Sequence, residues 1–243
     1  MSSVTVDRRL SAVLIADVVG YARLMERNET GTHTRLRAVR DEVTDPAIRD
    51  SQGRIVRTVG DGLLVEFPSA TAALRAATRI QREMRARNAG LPQEERIDYR
   101  IGINLGDVMV DNGDLYGEGV NIAARLQELA EPGGILISST VHDLVRNKLT
   151  VSFDFLGQQA IRNVSEPVAC YRVMLEGDVG RPYPAQQPAQ RPSLAAGPGS
   201  AAPRSLRRRL DNLPRSVKAI AVLIVFLFAI NLFTGFDPVW FHW

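Results

Sequence analysis

RIVRTVGDGLLVEF, residues 54–67, decides how the rest of the chain is read. Two short apolar runs, Ile55-Val56 and Leu63-Leu64-Val65, meet at Gly60-Asp61-Gly62. Aliphatic residues on both sides of a Gly-Asp-Gly are a hairpin signal, and glycine admits backbone angles that a Cβ resists. The pattern predicts a rigid two-stranded support with one carboxylate, Asp61, at its tip. Such a carboxylate suits a hard divalent cation, which takes oxygen ligands. Aspartate is equally a good turn residue, so the choice rests on whether a second acidic element is built to meet it.

Residues 10–19, LSAVLIADVV, supply that candidate. An apolar run of this length, rich in Val, Leu and Ile, predicts a buried strand, and its one charge is Asp17. A carboxylate at the end of a buried strand is costly unless compensated; a metal would compensate it, and so would an arginine. Gly20 follows, then a helical stretch over residues 21–27. A strand–turn–helix points backbone N–H groups at whatever sits over the turn, a place that favours anions such as phosphates.

Further along, residues 30–51 predict a long helix with Leu36, Val39, Val43 and Ile48 near helical spacing, closed by Gly53. Ala70, Ala73, Leu74, Ala77, Ile80 and Met84 recur at i, i+3, i+4, i+7, so residues 69–86 read as an amphipathic helix with Ser69 as N-cap. Residues 88–95 are a loop. Residues 97–110, IDYRIGINLGDVMV, alternate as a strand, with Gly102 and Gly106 marking a bulge or a bend. Residues 111–114 are a turn, and a helix follows over about 120–130, closed by Pro132-Gly133-Gly134. Asn121 and Arg125 share one face of it, one turn apart; Asn121 either helps to cap the start or points at a ligand. Strands over 135–137, 151–155, 159–161 and 169–174, with a short helix over 139–146, complete the pattern. The order fits an α+β fold with helices on one face of a largely antiparallel sheet.

Composition narrows the function. A chain of 243 residues with 45% hydrophobic content can bury a full core. Its one cysteine, Cys170, excludes an intrachain disulfide, and no Cys/His cluster suggests zinc. His33, His142 and His242 are scattered. No secretory pattern opens the chain, which predicts a first domain that stays in the cytoplasm. Residues 1–176 carry 22 Lys/Arg against 24 Asp/Glu, whereas residues 177–243 carry 8 against 3. The basic excess lies in the tail, which argues against nucleic acid as a partner and for a membrane-proximal segment.

LIADVVGYARLM, RTVGDGLLVEF, RIGINLGDV and DLYGEGVNIAARL occur in one order between about residues 8 and 173. Together they resemble the catalytic domain of a class III nucleotidyl (adenylate) cyclase, of the bacterial type whose cyclase domain opens the chain. The resemblance implies a ferredoxin-like class III cyclase fold and a head-to-tail homodimer with two sites at its interface. It implies two divalent metal ions, Mg²⁺ or Mn²⁺, held by Asp17, Asp61 and the backbone carbonyl of Val18. It implies that ATP is the substrate, with Val18, Val19, Gly20 and Tyr21 at its phosphates. Arg57 stands in the place of the purine-reading lysine and Asp114 in that of its partner acid. Asn121 and Arg125 match the pair that orients the ribose and stabilises the transition state. Lysine is a point donor and arginine a planar fork, so Arg57 departs from the family pattern. The glutamate expected of a guanine reader at position 57 is absent. The expected activity is adenylate cyclase; a silent cyclase-fold module that binds nucleotide, or a cyclase using GTP, are the alternatives.

Beyond the domain at 1–176, residues 177–216 hold seven of the thirteen prolines among Gly, Ala, Ser and Gln, a disordered-linker composition with a basic end. Residues 217–236 contain a 15-residue apolar run, 219–233, broken by Asn231. Spanning takes about 20 apolar residues, range about 17–25; with Thr234-Gly235-Phe236 this run falls at the short end and passes if Lys218 snorkels, a buried or interfacial helix being the alternative. Residues 237–243 form a short aromatic tail. The preceding basic cluster predicts that the catalytic domain lies in the cytoplasm, and the resemblance to the bacterial type implies that the membrane is the inner (cytoplasmic) membrane of a bacterium.

Overall fold

The strand β1 (Asp7–Val18) is the axis of the sheet. On one side it pairs antiparallel with β3 (Gly62–Phe67), and through β3 with β2 (Arg54–Val59). On the other it pairs antiparallel with β4 (Tyr99–Asp111) over its whole length. Next to β4 come β6 (Ile135–Ser138), parallel to it, then β8 (Val168–Met174) and β7 (Ser152–Gln159), both antiparallel to their neighbours. A short β5 (Asp114–Tyr116) folds back on the end of β4. The strand order is β2-β3-β1-β4-β6-β8-β7. The computed structural model describes residues 7–161, 164, 166–175 and 178. The linker, membrane helix and aromatic tail expected beyond them lie outside the described residues. Among those described, no helix is long and apolar enough to cross a membrane.

Side chains alternate across β1, and the alternation separates two cores. Ala12, Leu14, Ala16 and Val18 enter the larger one, with Ile101 and Ile103 of β4. This core is covered by α1 (Tyr21–Arg27), α2 (Glu29–Val39), α3 (Asp45–Asp50), α4 (Ala70–Asn88) and α6 (Ser139–Val145), through residues such as Leu24, Leu36, Ile48, Leu74, Ile80 and Val141. As expected, Ser69 caps α4, its side chain accepting from the Ala72 amide.

Helices were expected on one face only, and here the structure corrects the sequence. Val13 enters a smaller core with Leu64, Val108, Leu115 and Ala123, the last from α5 (Glu118–Leu129). α5 therefore lies on the opposite face. Glycines make room for it: a Cβ on Gly102 would collide with the Ala123 carbonyl and the Gln127 backbone, and one on Gly119 would lie 2.9 Å from the Asp107 carbonyl. The Asn104 amide, buried beside them, donates to the Gly119 carbonyl at 3.0 Å. What reads as a bulge or a bend in residues 97–110 is a docking groove.

Four smaller corrections follow from local geometry. The helix expected over 30–51 begins at Glu29, capped by Asn28, and is interrupted by a π turn at Arg40–Thr44. The strand expected over 159–161 is the end of β7, and the loop over 88–95 contains a 3₁₀ turn at Gln93–Glu95. The unforeseen β5 arises because Asn112 (φ 49°) and Gly113 (φ 83°) both adopt left-handed conformations, closing a tight hairpin between Asp111 and Asp114.

Candidate active site

Asp17 ends β1, and Asp61 occupies the two-residue turn between β2 and β3, since Val59 pairs with Gly62. Gly60, at φ 59°, takes the left-handed position the turn needs. Because β3 lies against β1, the turn comes over the end of β1. The Val18 amide donates to the Asp61 carboxylate at 3.1 Å. The two carboxyl groups are close enough to share a hydrogen bond. Burial first, then the hydrogen bond with Asp61 and its charge, push the Asp17 carboxyl up to about 6, against a partial opposing effect from Arg100. Two half-buried carboxyl groups this close, the Asp17 one made costly to ionise by its burial and by Asp61, are suited to a cation. The donor set is all oxygen, which fits Mg²⁺ or Mn²⁺. Among the described residues no group of three or more His, Cys, Asp or Glu gathers as a metal site. The protein thus offers a pair of carboxylates, and a triphosphate would have to supply further oxygens.

Asp17 lies on the α5 side of the sheet, with Val13 and Ile15. Arg100, paired with Asp17 across the β1–β4 ladder, shares that side with Gly102 and Asn104. Among the described residues the buried Arg100 Nε has no hydrogen-bond partner. A guanidinium with an unpartnered N–H beside the Asp17 carboxylate is suited to an anion that bridges to a cation held there. The sequence reading passed over it. The signal was there: Arg100, Gly102 and Asn104 alternate with Ile101 and Ile103.

Elsewhere on this side, a bulge between Ile55 and Arg57 breaks the alternation of β2, bringing Arg57 opposite Leu64. Its guanidinium reaches Asp114 at 3.0 Å. With the arginine side chain half exposed, the ion pair itself contributes at most about 1 kcal/mol. Asp114 also accepts from the Leu115 amide at 2.9 Å, and its hydrogen bond first, then its charge, raise the pKa of the Tyr116 hydroxyl. Asp17 faces the beginning of β4, whereas Asp114 follows its end.

Asn121 and Arg125 lie on α5 as expected; Asn121 is exposed, and Arg125 pairs with Glu128 at 2.7 Å. The structure thus unites Asp17, Val18 and Asp61, and separately Arg57 and Asp114, and leaves Asn121 and Arg125 facing outward. In the turn after β1, the Val19 amide is bound to the Asp98 carbonyl. With the Val18 amide on Asp61, the last amide of β1 and the first of this turn are both engaged.

Residues 8–174 match the family described as the adenylate and guanylate cyclase catalytic domain. The chain belongs to that family. It is 42% identical over 204 residues to a putative adenylate cyclase 3 of Rhizobium meliloti, covering 82% of this chain and 35% of the relative. It is 32% identical over 144 residues to an adenylate cyclase of Streptomyces coelicolor, covering 59% and 36%. The chain thus spans about a third of the length of these curated relatives. Among solved structures, an adenylate/guanylate cyclase/hydrolase from Silicibacter pomeroyi superposes with a TM-score of 0.67 at 45% identity, over 71% of this chain and all of that one. The adenylyl cyclase CyaB from P. aeruginosa gives 0.63 at 27%, over 71% and 97%. The class III cyclase α+β fold, with its mixed sheet, is therefore that of this cyclase domain.

Proposed function

We propose that the chain converts ATP to 3′,5′-cyclic AMP and pyrophosphate at sites formed between two copies of itself. The observation that carries this is the meeting of Asp17 and Asp61 at one end of the β1–β4 ladder, together with the Arg57–Asp114 pair at the other. The 3′-hydroxyl of ATP attacks its own α-phosphorus, and pyrophosphate leaves. Asp17, Asp61 and the Val18 carbonyl would hold two divalent ions, which supply an activated hydroxyl and neutralise phosphate charge. The Arg100 guanidinium, beside the carboxylates, would bind phosphate oxygens. Arg125 would bond the charge that builds on the α-phosphoryl group, a contribution of about 3–4 kcal/mol in comparable sites, and Asn121 would hold the ribose for in-line attack. For Arg125, this requires that its contact with Glu128 be exchanged for the nucleotide.

Arg57 and Asp114 would read the purine, donor and acceptor together. Adenine offers N1 as acceptor and its amino group as donor, matching the pair without rearrangement; guanine reverses both. ATP is favoured over GTP on that ground, and on the names of the relatives. The outward-facing Asn121 and Arg125 suit a head-to-tail homodimer in which one subunit supplies Asp17 and Asp61 and its partner the remainder. The catalytic domain occupies residues 1–176, and the basic linker and apolar segment at 217–236 tether it to the cytoplasmic face of the inner membrane.

The test is cyclic nucleotide production by the full chain with Mg²⁺ or Mn²⁺, with ATP and GTP compared. No product from either nucleotide, at concentrations where the protein is dimeric, defeats the proposal. Asp61→Ala and Arg125→Ala should each be inactive alone, and a mixture should regain activity through one intact site per heterodimer. A mixture that stays dead argues against shared sites.

A further inference from the structure

The neighbour of Arg100 points the other way. Tyr99, paired with Val18 across the ladder, enters the larger core and is 1% exposed. Among the described residues its hydroxyl has no hydrogen-bond partner. A buried hydroxyl left unpaired costs about 1–3 kcal/mol, so phenylalanine at this position would be the more stable choice unless the oxygen has a task.

The surroundings indicate which. Burial and then the charges of Arg40, Asp61, Asp45 and Asp17 are what act on the Tyr99 phenol, with the three carboxylates raising its pKa and Arg40 opposing them. Arg40 begins the π turn that interrupts the helix, and its guanidinium donates to the Thr58 hydroxyl at 3.1 Å. It also lies 4.0 Å from Asp45. Within the same turn the Thr44 hydroxyl bonds the Arg40 carbonyl at 3.4 Å and the Asp45 carboxylate at 3.3 Å. Thr58 is on β2, paired with Leu63 and three residues before Asp61. A polar cluster thus stands behind the Asp61 turn, on the sheet face opposite Arg100. π turns recur at functional sites because the extra residue re-aims a side chain; here that side chain is Arg40.

We propose that Tyr99, with Arg40 acting through Thr58, is a positioning residue of the Asp61 turn, its hydroxyl a donor reserved for the form of the turn that accepts divalent cations. The proposal rests on the two-carboxylate cation site described above. It assigns a stability cost in the cation-free protein to a gain in cation binding, with no contact between Tyr99 and nucleotide.

The full chain, wild type and Tyr99→Phe, is titrated with Mn²⁺ in the presence of a non-cyclisable ATP analogue, with bound Mn²⁺ read by electron paramagnetic resonance. Cation-free unfolding midpoints and the ATP KM at saturating Mn²⁺ are measured alongside. The Mn²⁺ dissociation constant should rise about tenfold, the usual size for losing a supporting hydrogen bond at a metal site. The unfolding midpoint should hold or rise, and the ATP KM should change by less than about twofold. Thr58→Val should weaken Mn²⁺ binding in the same direction, and Thr58→Ser should restore it. Unchanged Mn²⁺ affinity in Tyr99→Phe overturns the proposal; so does a lower midpoint with unchanged affinity, which makes the hydroxyl structural only. If the wild type binds Mn²⁺ and cyclises ATP while the variant matches it, this inference alone fails. If the wild type does neither, the cyclase proposal fails with it.

Discussion

Two carboxylate centres on the α5 side of the sheet invite comparison. Glu66 on β3 is held by Arg9 at 2.9 Å, by Ser11 at 2.7 Å and by Arg54 at 2.8 Å, so that β1, β2 and β3 are laced together. Arg54 also donates to the Gly113 carbonyl and ties in the β4–β5 turn. Burial raises the Glu66 pKa, but the bonds from Ser11, Arg54 and Arg9 outweigh it, and the net shift is downward. Asp17 and Asp61 face each other, and burial and then Asp61 push the Asp17 pKa up more than Arg100 and the Val18 amide bring it down. One centre brings its own compensating donors and is complete. The other leaves its charge for something that arrives. Donor supply, more than burial or acidity, separates a structural carboxylate from one poised for a ligand.

The sharpest way to break this comparison is substitution with the uncharged isostere. Asp17→Asn should lower cyclic AMP formation by about a thousandfold or more, since it removes a ligand of the ions that stabilise the reacting phosphate. The same change should leave the unfolding midpoint equal or higher, because a costly charge is gone. Loss of stability instead would mean that Asp17 is a structural group like Glu66.

Glu66→Gln should do the reverse. Removing the charge-assisted bonds to half-exposed arginines should cost roughly 1–2 kcal/mol of stability, read by urea unfolding. Mn²⁺ affinity should stay unchanged. An affinity loss matching that of Asp17→Asn would merge the two centres into one.

The smallest effect is on pH dependence without metal. The folded pKa of Asp17, about 6, stands above its ordinary 3.8. Its contribution is therefore full below about 4 and is lost as pH rises through about 6. Glu66 is shifted below its ordinary 4.5, so its contribution holds above that value and disappears as pH falls. Unfolding in EDTA should show stability declining from pH 4 to 6 in the wild type and less so in Asp17→Asn. Glu66→Gln should instead flatten the acid limb. Mn²⁺ affinity should fall below about pH 6 as protons compete for Asp17. A pH-independent affinity would contradict the raised pKa.

Much of this was legible along the chain, wherever the signal is local. The hairpin with Asp61, the buried strand ending in Asp17, the cap at Ser69 and the shared face of Asn121 and Arg125 follow from patterns a few residues long. What escaped involves partners far apart. The resemblance implies that Arg57 and Asp114 are partners, but not the bulge that re-aims Arg57 toward Asp114, which no residue type in RIVRTV announces. Nothing in the local pattern marks out Glu66, because Arg9, Ser11 and Arg54 come beside it only in the folded sheet. The side of the sheet taken by α5 was hidden because glycine in a strand signals a close approach without naming what approaches.

The sequence by itself determined the elements, the family and the chemistry of the individual side chains, because periodicity and residue type act over a turn or two of chain. The tertiary structure alone decided which charges are answered and which are left open. A carboxylate's field is set by neighbours brought in from other strands, and only the folded sheet puts arginines around Glu66 while setting Asp17 against Asp61.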